Sequence, residues 1–178
     1  MHQKTHQTAV VIIPPKEIWA SIQLIRQQHD TNYRRWMPHI TLMYPFRPRT
    51  EFDLVADQLS QTCQSQSPFW ICLKLFRFFS HHRSRYTIWL DPQPPSSTLG
   101  TSSHRQNPIK DLQKDLWKTI PDCDDTRRFK NGFTPHLSVG QAASKLNLDH
   151  FLSQFQLEWQ PLTFHVSEVY LIWRNDPP

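Results

Sequence analysis

The chain has 178 residues, long enough for one domain with a sizeable core, and 38% of them are hydrophobic and 12% aromatic. Twenty Lys and Arg against fifteen Asp and Glu give a formal charge of +5, a mild excess that suits an anionic partner but also occurs without one. Three cysteines with no CxxC spacing argue against a disulfide framework and a cysteine-rich zinc site, and favour a reducing compartment. The first apolar run, about six residues around 9–13, is too short for a signal peptide or a membrane span, so we expect a soluble cytoplasmic protein.

The first half of the chain predicts strand, helix, strand, helix and then an antiparallel pair of strands joined by a basic turn. Its first strand, TAVVIIPP, is a β-branched run that ends at two prolines, which is typical of a buried strand. Both helices carry an apolar stripe at helical spacing. The predicted strands cover 8–15, 38–46, 69–79 and 86–92, and the predicted helices cover 15–30 and 51–63.

The second half repeats this order more briefly after a Pro/Ser-rich stretch at 92–108, which has the composition of a connector. The chain contains only three glycines and no glycine-rich phosphate loop. The repetition predicts two lobes related by duplication. After the connector, the helices are expected at 108–120 and 146–155, and the strands at 134–141 and, as one strand or two, within 162–174.

One five-residue pattern occurs once in each half, as PHITL at 38–42 and as PHLSV at 135–139. Side chains alternate between the two faces of a strand, so the histidine and the hydroxyl residue share one face and the aliphatic residues take the other. If the two strands meet at a junction between lobes, two imidazoles and two hydroxyls converge on one cleft. These side chains are His39 with Thr41, and His136 with Ser138.

Such a cleft suits phosphodiester chemistry without a metal ion. Histidine has an intrinsic pKa of about 6.5, so one ring can accept a proton while a protonated partner donates one. The hydroxyls of Thr41 and Ser138 can donate hydrogen bonds to phosphate oxygens. The alternative for either motif alone is a histidine with a structural role, but two copies on matching strands favour a catalytic pair.

Aromatic rings next to the motif strands are candidates for stacking on a base or sugar, although core packing is the simpler account of each. Arg174 and the segment NYRRW at 32–36 are weighed as phosphate contacts, with solvation as the simpler account of Arg34 and Arg35. No metal site or cofactor is predicted. The stacking candidates are Tyr44, Phe46, Trp36 and Phe133.

The paired motifs, His39-Ile-Thr41-Leu and His136-Leu-Ser138-Val, resemble the twofold His-x-Thr/Ser-x signature of the 2H phosphoesterase superfamily, the 2′-5′ RNA ligase-like proteins. The resemblance extends from AVVIIPP to VYLIWR. It implies hydrolysis of 2′,3′-cyclic phosphates, 2′-5′ linkages or similar phosphoesters without a metal, and Ser138 keeps the hydroxyl donor of the signature.

We therefore expect an α+β, LigT-like fold of two pseudo-symmetric lobes, each an antiparallel-rich sheet with outer helices, and a cleft between them. The whole chain is interpreted as a single bilobal domain, with lobes at about 1–91 and 109–178 and a connector at 92–108. The expected substrate is an RNA end or a small nucleotide, and we expect a monomer with no membrane or metal partner. A nucleotide- or RNA-binding module without turnover, and a structural protein with both motifs in its core, remain the alternatives. The sequence leaves open which histidine is the acid.

Overall fold

The computed structural model describes residues 3–95 and 107–175, and this part of the chain confirms the predicted succession of elements. The region after the last helix forms two strands. Of the predicted connector, residues 96–106 lie outside the described residues. In chain order the elements are β1 Thr8–Ile12, α1 Trp19–His29, β2 Ile40–Met43, α2 Phe52–Gln64, β3 Phe69–His81, β4 Arg85–Gln93, α3 Pro108–Thr119, β5 Leu137–Ala142, α4 Lys145–Glu158, β6 Leu162–Val166 and β7 Tyr170–Trp173.

The strands form two antiparallel sheets. The smaller sheet has the order β2-β1-β7 and the larger sheet has the order β5-β4-β3-β6. Helices cover one side of these sheets, so the architecture is α+β with antiparallel sheets, as the sequence predicts.

The two sheets do not correspond to the two halves of the sequence. β7 pairs with β1 in the smaller sheet, whereas β5 and β6 flank the β3–β4 hairpin in the larger sheet. Residues 1–91 and 109–178 therefore do not each build a lobe of their own, since each sheet takes strands from both sides of the connector. Local patterns identify strands, but they carry no information about which distant strand is the partner.

The helices also pack across the two halves of the chain. α1 packs on β5 and α4 packs across β3, β4 and β5, whereas α2 packs on α3 and α3 also contacts β2. Each motif strand is therefore covered by a helix from the other half of the chain. The apolar stripes predicted for the first two helices are buried, with Ile22 and Ile25 in α1 and Val55 and Leu59 in α2.

The contact between α1 and β5 depends on a glycine. A Cβ atom at Gly140 would lie 2.7 Å from the Cβ of His29 and 3.1 Å from its carbonyl oxygen. The end of α1 can approach the middle of β5 this closely only because residue 140 has no side chain.

Candidate active site

His39 and Thr41 share one face at the start of β2. Their neighbours Pro38, Ile40 and Leu42 are buried, whereas His39 and Thr41 keep part of their surface exposed. This alternation is the one that the period of a strand predicts. It places one imidazole and one hydroxyl on the side of the sheet that faces away from the main core.

β5 repeats the arrangement with His136 and Ser138. Leu137 and Val139 are fully buried in the main core, and the two polar side chains are half-buried on the opposite face. The two motif strands therefore present the same pair of functional groups in the same order.

Each motif strand also carries a β-bulge directly after its hydroxyl residue. In the pairing of β1 with β2, Val10 lies opposite Met43 and Val11 lies opposite Thr41, so Leu42 is an extra residue. In the pairing of β4 with β5, the residues opposite Ile88 and Trp89 are Gly140 and Ser138, and the extra residue is Val139.

The bulges bring one more residue of each motif strand to the polar face. An extra residue reverses the alternation, so the third residue after the hydroxyl returns to the side of the histidine. These residues are Tyr44 on β2's continuation and Gln141 on β5, and both line the same cavity as the motif side chains. Thr87, which pairs with Gln141, and Ala9 on β1 line it as well.

A cleft of about 360 Å³ brings the four motif side chains together. His39 and Thr41 from the smaller sheet and His136 and Ser138 from the larger sheet all line it. Its volume lies within the range of sites that hold small ligands, about 300–1,000 Å³. The pseudo-symmetric strands therefore form one site rather than two.

Both imidazoles are held by a carbonyl two residues earlier in the chain. His39 Nδ1 lies 2.7 Å from the Met37 carbonyl oxygen, and His136 Nδ1 lies 2.8 Å from that of Thr134. A carbonyl oxygen can only accept, so Nδ1 carries the proton in each ring. In the neutral ring Nε2 then has a free lone pair, and in the protonated ring Nε2 can donate. The two rings are thus equally equipped to act as base or acid.

Burial lowers the pKa of both histidines. The pKa of His39 falls to about 4. Burial is the largest cause and outweighs the hydrogen bond to Met37, which raises the pKa, and the nearby cation of Arg26 lowers it further. The positive form of His136 lowers the pKa of His39 further, which places the two rings within electrostatic range. Burial also lowers the pKa of His136, against the hydrogen bond to Thr134. Both rings are therefore neutral at pH 7.

Two of the four predicted stacking residues lie in the cleft. Trp36 and Tyr44 line it, and the Trp36 ring centroid is 6.0 Å from that of His39. Phe46 is fully buried and packs against Phe52, so it has no free face for a base. Phe133 packs against the main core and is not among the lining residues, although it stands in the same place before His136 as Trp36 does before His39. Phe46 and Phe133 are therefore not retained as stacking residues.

A buried ion pair at the end of α1 supports one wall of the cleft. Arg26 Nε lies 2.9 Å from Asp30 Oδ2, both side chains are at most 4% exposed, and both line the cleft. Arg26 Nη2 also donates to the Trp36 carbonyl at 3.0 Å, which fixes the loop that carries this ring. Asp30 Oδ1 in turn accepts from Gln141 Nε2 at 3.1 Å, which ties the same loop to β5.

The sequence did not reveal this support. Gln141 falls on the wrong face under strict alternation, and only the bulge at Val139 brings it into the cleft. Arg26 and Asp30 have the i, i+4 spacing of an ordinary surface ion pair on a helix, which gives no sign of burial. The one sign of this buried ion pair in the sequence is that Arg26 falls on the apolar side of α1.

Arginines give the cleft a positive wall. Arg35 and Arg174, two of the candidate phosphate contacts, line it together with Arg26, whereas Arg34 is exposed and does not line it. Arg174 Nη2 donates to the His6 carbonyl at 3.2 Å, and its guanidinium lies 5.5 Å from the centre of the Trp36 ring. The groups that surround the histidines therefore favour an anionic ligand.

Comparisons with known proteins show the family of the chain. The sequence profile of the 2′-5′ RNA ligase superfamily matches residues 14–178, so the chain belongs to this family, the 2H phosphoesterases. The chain is 27% identical over 150 residues to a protein of Geobacillus kaustophilus (strain HTA426) named "Putative phosphoesterase GK0864", with 84% of this chain and 77% of that protein covered.

Two solved structures resemble the fold. A crystal structure of a phosphoesterase matches with a TM-score of 0.51 and 20% identity, over 94% of this chain and 87% of the other. A crystal structure of E. coli LigT complexed with 3′-AMP matches with a TM-score of 0.48 and 18% identity, over 93% and 85% of the two chains. The first of these likenesses supports the phosphoesterase fold.

No group of three or more His, Cys, Asp or Glu side chains suited to a metal ion occurs within residues 3–95 and 107–175.

None of the helices in this part of the chain is long and apolar enough to cross a bilayer.

Proposed function

We propose that the protein is a metal-independent phosphodiesterase that hydrolyses 2′,3′-cyclic phosphates or 2′-5′ phosphodiester bonds of RNA or small nucleotides. The observation that carries this proposal is the matched pair of imidazoles, His39 and His136, which line one cleft in the same tautomer with a hydroxyl residue beside each. Membership of the family supports a phosphoesterase, and the substrate and mechanism are our proposal.

The reaction needs one neutral and one protonated ring. Nε2 of the neutral ring takes a proton from water as the water oxygen attacks phosphorus, and Nε2–H of the other ring gives a proton to the leaving ribose oxygen as the P–O bond breaks. One water is consumed for each bond, and the two rings finish with their protonation states exchanged. Exchange with solvent restores them.

The substrate itself supplies the missing positive charge. Burial lowers the pKa of both rings, but a bound phosphodiester carries a negative charge that raises the pKa of an adjacent imidazole. Thr41 and Ser138 donate hydrogen bonds to the non-bridging oxygens, where charge develops in the transition state. The pH optimum of kcat, which reports the complex, should therefore be higher than that of kcat/KM, which reports the free enzyme. Rate profiles at saturating and limiting substrate measure the two.

The surroundings of the rings favour His39 as the base and His136 as the acid. The cation of Arg26 disfavours the protonated form of His39 more than the carboxylate of Asp30 favours it, whereas the pKa of His136 is lowered by burial against its hydrogen bond to Thr134. The two apparent pKa values still belong to the coupled pair. The assignment can be tested with a substrate whose leaving group is a nitrophenolate, because this group needs no proton. Such a substrate should restore turnover to His136→Ala but not to His39→Ala.

The first experiment is a panel of 2′,3′-cyclic nucleotides, 2′-5′ dinucleotides and oligonucleotides that end in a cyclic phosphate. Wild-type protein should hydrolyse at least one class, and His39→Ala and His136→Ala should each lose about 10²- to 10⁴-fold in kcat. The double variant should be about as slow as each single variant, since half of an acid-base pair does little alone. A folded single variant with near-wild-type turnover would show that the two-histidine mechanism is wrong. Tight nucleotide binding with no turnover of any substrate by the wild type would favour the binding module.

A further inference from the structure

The polar face of the larger sheet continues past the cleft along the β3–β4 hairpin. Trp89 on β4 pairs with Arg77 on one side and with Ser138 on the other, and Thr87 pairs with Phe79 and Gln141 in the same way. Directly paired residues of antiparallel strands point to the same face. Arg77 and Phe79 therefore share the face of the catalytic residues. His81 and Arg85, which pair with each other two positions further on, share it as well.

The side-chain contacts confirm this placement. The Phe79 ring stacks on Trp89 with centroids 4.9 Å apart and an angle of 27°, and it makes a T-shaped contact with the His136 ring at 4.9 Å and 90°. His81 Nε2 lies 2.9 Å from the hydroxyl of Thr87, a cleft residue. An aromatic ring thus stands beside His136, as Trp36 stands beside His39 on the opposite wall.

This part of the sheet is left open by its neighbours. β6 pairs with β3 only from Phe69 to Leu73, and Gln156 of α4 bonds to the backbone of residues 74 and 76. Beyond that point no strand pairs with the outer edge of β3 among the described residues. Phe79 keeps part of its surface exposed, and His81 and Arg85 are exposed.

The β3–β4 hairpin carries an excess of positive charge. Residues 74–90 contain four Lys or Arg and two His but no Asp or Glu. Asp91, the first acidic residue after them, lies 3.3 Å from Arg77 Nε, although more than half of the Arg77 side chain remains exposed. An aromatic face with cations around it is the composition that binds single-stranded nucleic acid, because bases stack on the ring and phosphates meet the cations.

We propose that Arg77, Phe79, His81 and Arg85, here called the β3–β4 shelf, bind a nucleotide adjacent to the scissile phosphate on the His136 side. The preferred substrate is then an oligonucleotide, with one nucleoside on the Trp36 wall and the next on the shelf, rather than a cyclic mononucleotide. This inference rests on the proposed phosphodiesterase activity and adds the length and polymeric nature of the substrate.

The test compares two substrates, a pentanucleotide with a terminal 2′,3′-cyclic phosphate and the matching cyclic mononucleotide. Wild-type protein should give the higher kcat/KM on the pentanucleotide. Phe79→Leu keeps an apolar side chain on Trp89 but removes the stacking face. It should raise KM for the pentanucleotide by about 5- to 100-fold, at least about fivefold more than for the mononucleotide. Phe78→Leu is the matched control, because Phe78 lies next in sequence on the opposite face and is exposed.

A second variant reports on the charge independently of the ring. Arg85→Gln should reduce the slope of log KM against log salt by about 0.7 for the pentanucleotide, as expected for the loss of one phosphate contact with a single strand. Because Arg85 is exposed, its substitution should not disturb folding, and a change in the salt slope would report the lost charge.

The outcomes distinguish failure of the β3–β4 shelf from failure of the proposed phosphodiesterase function. Equal losses on both substrates in Phe79→Leu would assign the ring a structural role beside His136 and overturn the shelf. The shelf would also be overturned if Phe78→Leu and Phe79→Leu changed KM for the pentanucleotide equally, or if Arg85→Gln left the salt slope unchanged. In each of these cases wild-type activity would persist, whereas absence of wild-type turnover on every phosphoester would instead refute the proposed function.

Discussion

The buried imidazole of His39 should make the stability of the protein depend on pH between about 4 and 6.5. Its folded pKa is about 4 and that of an exposed histidine is about 6.5, so in this window the unfolded chain binds a proton that the folded chain does not. Acid therefore favours the unfolded state. The contribution of His39 to stability is fully present above pH 6.5 and is lost as the pH falls towards 4.

The size of the effect follows from the two pKa values. At about pH 4.5 the unfolded ring is almost fully protonated while the folded ring is mostly neutral, and the difference is worth between about 2 and 3 kcal/mol. The change that isolates this term is His39→Asn, since the asparagine side-chain amide can still donate to the Met37 carbonyl but does not titrate. His136→Asn should act with the same sign.

The assay is urea unfolding of wild type and variants at about pH 7.5 and about pH 4.5. The free energy of unfolding of the wild type should fall between the two pH values by about 2–3 kcal/mol more than that of His39→Asn. His82→Asn, at an exposed position in the β3–β4 turn, is the control and should lose as much as the wild type. If His39→Asn and wild type lose the same amount, the imidazole is not kept neutral by burial and the reasoning about the cleft fails.

Three further predictions concern the hydroxyls, the metal and the packing of β5. Thr41→Ala and Ser138→Ala should each lower kcat by about 10- to 10³-fold, less than loss of either ring, because water can partly replace one phosphate donor; steady-state kinetics measure this. Activity should survive excess EDTA, and a loss reversed by added zinc or manganese would defeat the proposed mechanism. Gly140→Ala should destabilise the fold by about 1–3 kcal/mol in urea unfolding, since the new methyl group would overlap His29. An unchanged midpoint would mean that α1 can move away from β5 at little cost.

The polar face of each motif strand could be predicted because it depends on local alternation alone. Pro, His, aliphatic, hydroxyl, aliphatic is a period-two pattern, and in both copies the structure buries the proline and the aliphatic residues and leaves the histidine and the hydroxyl residue partly exposed. Alternation ceases to apply at a bulge. For this reason Gln141, three residues after Ser138, was missed although it lines the cleft.

The aromatic residues show a different limit. A ring near a motif strand can turn towards the cleft or the core, and sequence distance does not decide between them. Trp36 and Phe133 occupy the same place before their histidines, yet one lines the cleft and the other packs in the core. Phe79 lies some sixty residues before His136 and reaches it only through the pairing of β3, β4 and β5. Such contacts follow from strand register, which no local pattern of this chain encodes.

The pairing of β1 with β7 joins segments that are far apart in the chain. The β3–β4 hairpin joins neighbouring segments, whereas the smaller sheet needs Thr8 to meet Trp173 across nearly the whole chain, and such long-range contacts cost more loop entropy than local ones. β2, which follows His39, belongs to the sheet that β7 completes. A fragment that ends before β7 would leave one edge of β1 without its partner strand, and we expect it to lose activity because the sheet beside His39 is incomplete.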